Sequence, residues 1–419
     1  MGAEGSGGLE SAPKRILIAN KYWRPAGGVE NHAFAVKEAL ESMGHEVFPF
    51  AMSEPDTLPA PHGDLFPSSV DFRNEGFGNK LSALGRATLS IGARKDFKSF
   101  LDEVEPDAAY VLHVYHQLGM PILNVLSDRG IPTILSLHDY KISCPNYRLF
   151  SERTQRVCTR CLDSKYAYLT APIKERCWDN SVGAGVALSA EALFTKAMGS
   201  YGKADVISVL NDLQEHSVRV SGVQRPIMRL PHPVAQLGDR EKTDRKTFLY
   251  VGRLVPEKGI DDLIRAVAMT GHTLRIVGDG RSGEELSNLA EQMHADVEFV
   301  GSLDAAGVAR EYAQAVALVV PSTWHEVSPL VVYEAIANDV PVIATAMGGM
   351  VDQLRDGRGY LVPPNDPDAI AAALNEVFGD QVAAQRVSGR ARNHMRETQS
   401  PEQWVESLRA LFQAVDVEI

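Results

Sequence analysis

The strongest constraint on this chain is a pattern that occurs twice. Short, continuously apolar runs alternate with stretches of helical spacing, first over residues 15–230 and again from residue 246 onward. A run that is apolar at every position suits a parallel strand covered on both faces. Alternation of such runs with helices predicts an open, doubly wound α/β sheet. In the first series, strands are expected at 15–20, 47–51, 108–114, 133–137 and 206–210, with helical spacing over 29–43 and 81–104. In the second, strands are expected at 247–251, 273–277, 297–300, 317–320 and 341–344. Residues 54–80 and 139–180 show no such period and are expected to be irregular.

Between the two series, residues 231–245 carry prolines, a glycine and a run of charges, a linker composition. Charge changes there as well. Residues 1–250 hold 29 basic and 29 acidic residues, whereas 251–419 hold 13 and 25, so the net −12 belongs wholly to the second part. We therefore expect a tail at 1–13, a first domain at 14–233, a linker at 234–245, a second domain at 246–400, and a helix within 401–419 that crosses back to the first domain. An acidic chain of this kind is not expected to bind nucleic acid, which requires lysine and arginine in excess. No run of about 18 apolar residues is present, so no spanning helix is expected. The start has neither a basic nor an apolar segment of the secretory kind, and a cytoplasmic location is expected. Gly2 and Ser6 fit a myristoylation pattern that small-residue tails often match.

Several stretches carry candidate chemistry. Gly252-Arg253-Leu254-Val255-Pro256-Glu257-Lys258-Gly259 lies between a strand and a helix, where free backbone N–H groups and the positive helix end face an anion. Arg253 and Lys258 add two cations, so the stretch is either a phosphate site or a solvated surface turn. Glu326 and Glu334 frame His325-Glu326-Val327-Ser328-Pro329-Leu330 and the apolar helix expected to follow. A carboxylate in such a place either faces a cleft, where it can accept sugar or ribose hydroxyls, or sits on the surface. His113, His116, His138 and Asp139 follow first-domain strands, whose carboxyl ends line the ligand crevice in such sheets. Gly278-Asp279-Gly280-Arg281-Ser282-Gly283 imitates a dinucleotide fingerprint but follows the second strand of its unit, not the first. Asp366-Pro367-Asp368 reads as a helix cap.

Taken in order, Pro25 to Glu30, Gly44-His45-Glu46-Val47, Tyr250 to Gly259, Val277-Gly278-Asp279-Gly280, the E-x7-E pair Glu326 and Glu334, and Gly348-Gly349 resemble a retaining glycosyltransferase of family 4. The resemblance covers most of residues 14–415 and implies a GT-B fold: two Rossmann-like domains facing a cleft. It implies a nucleotide-sugar donor (UDP-, GDP- or ADP-sugar) as co-substrate and a glycan or lipid-linked acceptor. Arg253 and Lys258 would hold the diphosphate, Glu334 the ribose, and Glu326 the transferred sugar. Ser328, Pro329 and Leu330 would lie close by. Gly27 and Gly28 would approach from the first domain, Gly278 would be a further donor-binding residue, and Val300 would pack on the base. His138, His116 and Asp139 match positions near the sugar. No catalytic metal is implied. Trp324-His325-Glu326-Val327-Ser328-Pro329-Leu330 matches an exopolysaccharide-type variant, W-x-E-x-S-P-L. Asp352, His113 and the Pro231-His232-Pro233 turn depart from the common pattern. A non-catalytic sugar or nucleotide binder, or less plausibly a dinucleotide-dependent oxidoreductase, is the rival reading.

Cys144, Cys158, Cys161 and Cys177 are the only four cysteines and fall within 34 positions as C-x13-C-x2-C-x15-C. The spacing suits a structural zinc; reduced thiols without metal and disulfides are the alternatives. Residues 141–176 hold eight basic residues against three acidic, and 80–98 are also basic. These segments are a peripheral membrane face, at the inner side of the membrane, a docking site for an anionic lipid-diphosphate acceptor, or ordinary solvated charge.

Overall fold

In the computed structural model, the described residues are 12–68, 91–115, 118–234 and 246–419. The strands are β1 (Arg15–Ala19), β2 (Glu46–Phe50), β3 (Ala108–Val111), β4 (Thr133–Ser136), β5 (Phe150–Ser151), β6 (Arg156–Val157), β7 (Val206–Val209) and β8 (Ile227–Arg229) in the first half. The second half supplies β9 (Thr247–Val251), β10 (Leu274–Val277), β11 (Val297–Gly301), β12 (Ala315–Val320), β13 (Val342–Thr345) and β14 (Tyr360–Val362). They build two six-stranded sheets, ordered β2-β1-β3-β4-β7-β8 and β11-β10-β9-β12-β13-β14. Every pairing in both is parallel. The expected class, two doubly wound α/β units, is what the chain forms.

The strands form where the apolar runs predict because both faces are covered. Ile16, Leu17, Ile18 and Ala19 are all fully buried, as are Phe248 on β9 and Leu318 on β12. The edge strands β8 and β14 escaped the sequence reading. Each has three residues and is only partly buried, too short to show a period. Residues 139–180 are irregular, as expected, with the two-residue strands β5 and β6 and short turns of helix.

Each sheet reverses its strand order at one place, between β1 and β3 in the first and between β9 and β12 in the second. The crevice beyond the carboxyl ends at such a reversal is where ligands bind in open α/β sheets. The last helix, Pro401–Gln413, buries Trp404, Leu408, Leu411 and Phe412 in the core of the first unit rather than the second. The Trp404 indole N–H donates to the Pro231 carbonyl at 2.8 Å.

Candidate active site

The second-unit crevice is built by close backbone approach. Beyond β10, Gly278 has φ 136°, and a Cβ there would lie 1.9 Å from the Gly252 carbonyl oxygen just beyond β9. Gly278 thus joins two loop exits, and its N–H donates to Gly301 at 2.9 Å. That packing accounts for the dinucleotide-like spacing. Val300, one residue earlier on β11, is partly buried against the neighbouring core.

After Gly252 the chain passes Arg253, makes one 3-10 turn over Pro256–Lys258, and enters the helix Ile260–Thr270. Arg253 is exposed, with no carboxylate partner among the described residues. Lys258 points to Glu326, and its Nζ lies 2.6 Å from Oε1. The same oxygen accepts from the Trp324 indole N–H at 2.7 Å and from the Ser322 hydroxyl at 2.8 Å. Glu326 is only 7% exposed. Burial alone pushes its carboxyl up, yet Lys258, Trp324 and Ser322 together outweigh burial and hold it below its ordinary range. It is therefore a carboxylate. An ammonium has three N–H donors, so Lys258 can bind Glu326 and an anion at once.

Glycines also fix the backbone beneath Glu326. A Cβ on Gly348, where φ is 52°, would stand 2.2 Å from the Glu326 carbonyl oxygen, and the Gly349 N–H donates to that oxygen at 2.7 Å. Pro329 precedes the helix Leu330–Ala337 in extended conformation, and the Ser328 hydroxyl meets the Tyr333 hydroxyl at 3.4 Å. Glu334, on that helix, accepts from the Tyr312 hydroxyl at 3.1 Å. Glu334 is exposed as a residue, but enough protein surrounds its carboxyl to push it up, with Tyr312 opposing. With Leu330, Tyr333, Asn31, His32 and His232 it lines a cavity of about 180 Å³. Gly28 faces the same helix: a Cβ there would be 3.7 Å from Leu330 Cδ1. Gly27 is extended, with φ 177°.

On the first unit, His138 follows β4 and is 7% exposed. It sits within a group of buried imidazoles, its ring centroid 4.6 Å from His32 and 5.4 Å from His232. Its Nε2 contacts the Ser136 hydroxyl at 3.1 Å, while Nδ1 is buried without a hydrogen-bond partner. His32 bonds the Tyr110 hydroxyl at 2.9 Å. Burial, reinforced by the neighbouring imidazoles, holds His138 well below the ordinary histidine range, so it is neutral. Asp139 Oδ2 lies 3.2 Å from His113 Nε2, and burial raises its carboxyl to about 7. His116 lies outside the described residues.

Three contacts carry the first unit onto the Glu326 loop. The Tyr140 hydroxyl donates to the Glu326 carbonyl at 3.4 Å, and the Asn211 amide donates to the Val327 carbonyl at 2.6 Å. Arg148 reaches Glu257 at 2.7 Å and lies 5.3 Å over the Trp324 ring. Arg148, Tyr140, Asn211, His32 and His232 were not singled out from sequence. Only the departure at Pro231-His232-Pro233 signalled one of them.

The cysteines are neighbours, and all four stand as free thiols. Cys144 donates to Asn146 Oδ1 at 2.9 Å. A hydrogen bond to Cys144 pushes the Cys161 thiol up, and burial raises Cys177 to about 12. Among the described residues no group of three or more His, Cys, Asp or Glu is arranged to hold a metal ion. The zinc expectation is thus not supported by the described residues: the thiols gather, with Cys144 turned to an amide oxygen. Asp366 caps the helix Pro367–Gly379, accepting from the Ala369 N–H at 2.9 Å.

Two parallel-sheet units facing each other at their carboxyl ends define a GT-B arrangement. Residues 238–394 match the model "Glycosyl transferases group 1", and residues 26–162 match "Glycosyltransferase Family 4". The two matches fall one on each unit, the family 4 model on the first and the group 1 model on the second. It is 25% identical to a glycogen synthase of Mycobacterium tuberculosis over 405 residues, 91% of this chain and 90% of that one. It is 36% identical to an exopolysaccharide phosphotransferase of Streptomyces coelicolor over 151 residues, 34% of this chain but 16% of that protein. Among solved structures it resembles a sucrose-phosphate synthase of Thermosynechococcus elongatus, with TM-score 0.71 and 21% identity, covering 96% of this chain and 99% of that one. It also resembles HepE of Anabaena in complex with UDP, with TM-score 0.59 and 15% identity, covering 96% and 100%.

Proposed function

We propose that the chain is a retaining glycosyltransferase that moves a sugar from a nucleotide-diphosphate donor to a glycan, lipid-linked or small-molecule acceptor. The observation that carries this reading is the buried Lys258–Glu326 pair at the second crevice, with exposed Arg253 beside it. In this scheme the bond from the anomeric carbon to the β-phosphate oxygen breaks, and its electron pair stays on the diphosphate. Arg253, Lys258 and the loop N–H groups stabilise that charge where it develops. The acceptor hydroxyl attacks the same face, forms the new C–O bond and passes its proton to the leaving phosphate oxygen. Neither a protein nucleophile nor a metal takes part.

Glu326, held ionised, would bind hydroxyls of the transferred sugar, and Glu334 those of the ribose. Gly27, Gly28, Ser328, Pro329, Leu330 and Gly278 would form walls, with Val300 against the base. Neutral His138 would offer hydrogen bonds to the sugar side, with Asp139 and His116 in supporting positions. HepE, solved with UDP, makes a UDP-sugar the first donor to try. The cysteines are read as reduced thiols that pack the 139–180 excursion, and stoichiometric zinc in purified protein would replace that reading. Among the described residues no helix is long and apolar enough to cross a membrane; contact with the inner membrane face would be peripheral.

The test is a panel of UDP-, GDP- and ADP-sugars scored by thermal stabilisation, followed by turnover. Glu326→Ala and Lys258→Ala are each expected to abolish most transfer while the protein remains folded. Normal turnover in either variant would overturn the site. Stabilisation by a nucleotide sugar without transfer to any acceptor would favour a non-catalytic binder.

A further inference from the structure

Nine large hydrophobic residues are exposed among the described residues, and five of them cluster in one stretch of the first unit: Tyr166, Leu169, Val182, Val186 and Leu193. The helix Val182–Ala197 presents Val182, Val186, Ala190, Leu193 and Ala197 outward. Those positions recur at helical spacing and make one continuous stripe. A surface helix normally turns charge to water on that side. Here the sixteen residues include only two charged ones. Glu191 is buried and pairs inward with Lys141 at 2.8 Å, and Lys196 lies in the last turn. The inner side buries Leu188 together with Ser189, Glu191 and Thr195. The outward side is thus the more apolar one, the reverse of an ordinary surface helix, and calls for an apolar phase outside the protein.

The rim of the stripe is basic. The turn Ala167–Leu169 packs on the helix. Lys196 Nζ donates to the Lys165 carbonyl at 3.0 Å and sits 4.3 Å over the Tyr168 ring. Lys165 lies over Tyr166, itself 62% exposed. Of the carboxylates in this stretch, Glu175 is engaged by Arg153 and Arg160. Residues 160–203 hold six basic and four acidic residues within a chain of net charge −12. Lysines beside an apolar stripe, with a tyrosine between, match an interface of hydrocarbon below and anionic headgroups above. Two copies of this chain meeting here would bring their lysine rims together, which disfavours self-association.

We propose that the stripe on Val182–Ala197, with Tyr166 and Leu169, rests on an anionic lipid bilayer, and that Lys165 and Lys196 contact its headgroups. The proposal rests on the peripheral membrane reading above and centres it on the apolar stripe, with Lys165, Tyr166 and Leu169 drawn from the basic segment 141–176. The same excursion carries Arg148 to Glu257, so the membrane-facing surface and the donor loop are mechanically joined.

The test is co-sedimentation of the full chain with vesicles of phosphatidylcholine containing about one third phosphatidylglycerol, against phosphatidylcholine alone. Wild type is expected to sediment with the anionic vesicles and to be released by salt. Val186→Glu with Leu193→Glu should lower binding about tenfold or more. Lys165→Glu, a variant without a buried change, should weaken anionic binding alone. Thermal stabilisation by the nucleotide sugar should be unchanged in all of these, because none of the altered side chains lies in the crevice. Failure of the membrane proposal is thereby separated from failure of the transferase reading. Wild type that ignores the vesicles, variants that bind as well as wild type, or a dimer dissolved by the stripe variant would each overturn the proposal.

Discussion

Replacing Arg148 by alanine tests whether the excursion of the first unit holds the donor loop of the second. The guanidinium contacts Glu257 at 2.7 Å, and the two side chains are 17% and 9% exposed. It also pairs with Glu152 at 2.9 Å and stacks 5.3 Å over Trp324. After truncation, the nearest remaining cation to Glu257 is Arg281, 4.0 Å away on a side chain 72% exposed, a pair that solvent screens. A lost charged hydrogen bond at a mostly buried carboxylate costs about 1.5–3 kcal/mol, and the stacking adds about 0.5–1 kcal/mol. Because Arg148 and Glu257 belong to different units, the loss bears on their docking as well as on folding. Even about 2 kcal/mol corresponds to roughly thirtyfold in an equilibrium. The expected result is weaker donor affinity by calorimetry, lower kcat, and a melting temperature lower by about 2–4 °C per kcal/mol lost. Arg148→Lys should recover part, since it keeps the charge but not the fork. A double-mutant cycle with Glu257→Gln should give coupling of about 1–3 kcal/mol. Unchanged donor affinity and melting in Arg148→Ala, or strictly additive effects in the cycle, would refute the reasoning.

The buried histidines predict acid lability. Burial lowers His232 to about 4, and His32 and His138 are also held well below the ordinary value of 6.5. Their stability contribution is complete above pH 6.5 and falls as pH drops from there toward the folded values; His232, and His113, which burial lowers to about 3, account for about 2 kcal/mol each between pH 7 and 5. Asp139, raised to about 7, acts oppositely and returns about 2 kcal/mol over the same interval, so a net loss remains. Urea unfolding at pH 7 and 5 measures it, and equal stability at both would show that the imidazoles are not desolvated. Gly348→Ala places a Cβ 2.2 Å from the Glu326 carbonyl oxygen at a φ of 52°. It should cost about 2–4 kcal/mol in strain and displaced backbone, and reduce transfer beyond what lost stability explains. Wild-type melting in that variant would remove the claim that this glycine fixes Glu326.

Where the sequence was legible, burial on both sides made it so. The strand beginning at Arg15 and the helix Leu330–Ala337 could be read directly, because each pairs an unbroken apolar run with a turn signal. Strands β8 and β14 could not, since three residues at a sheet edge carry no period. Glu326 and Lys258 were nominated separately, as a cleft carboxylate and a phosphate cation, and the fold brings them within 2.6 Å. The imidazole group could not be assembled from sequence. His32 on the first helix and His232 beside the linker lie 200 positions apart, yet their rings stand 5.3 Å from each other. Cysteine spacing foretold a cluster but not its chemistry, because spacing leaves open where each thiol turns. Arg148 was counted within a basic segment. Nothing local indicates that the excursion turns that residue toward the other unit.

Placing Arg148 there alters what the charge distribution means. Residues 246–400 hold 13 basic and 21 acidic residues, so the bulk field of the second unit opposes a diphosphate, and only cations at short range can favour one. Arg253 and Lys258 are two, and the ammonium of Lys258 is already shared with Glu326. The third cation on that loop comes from the first unit, through Arg148 over Trp324, the same indole that donates to Glu326. Docking of the units therefore changes the local charge of the donor crevice as well as excluding water from it. A donor that gains from this cation must in turn favour the docked state by the same free energy.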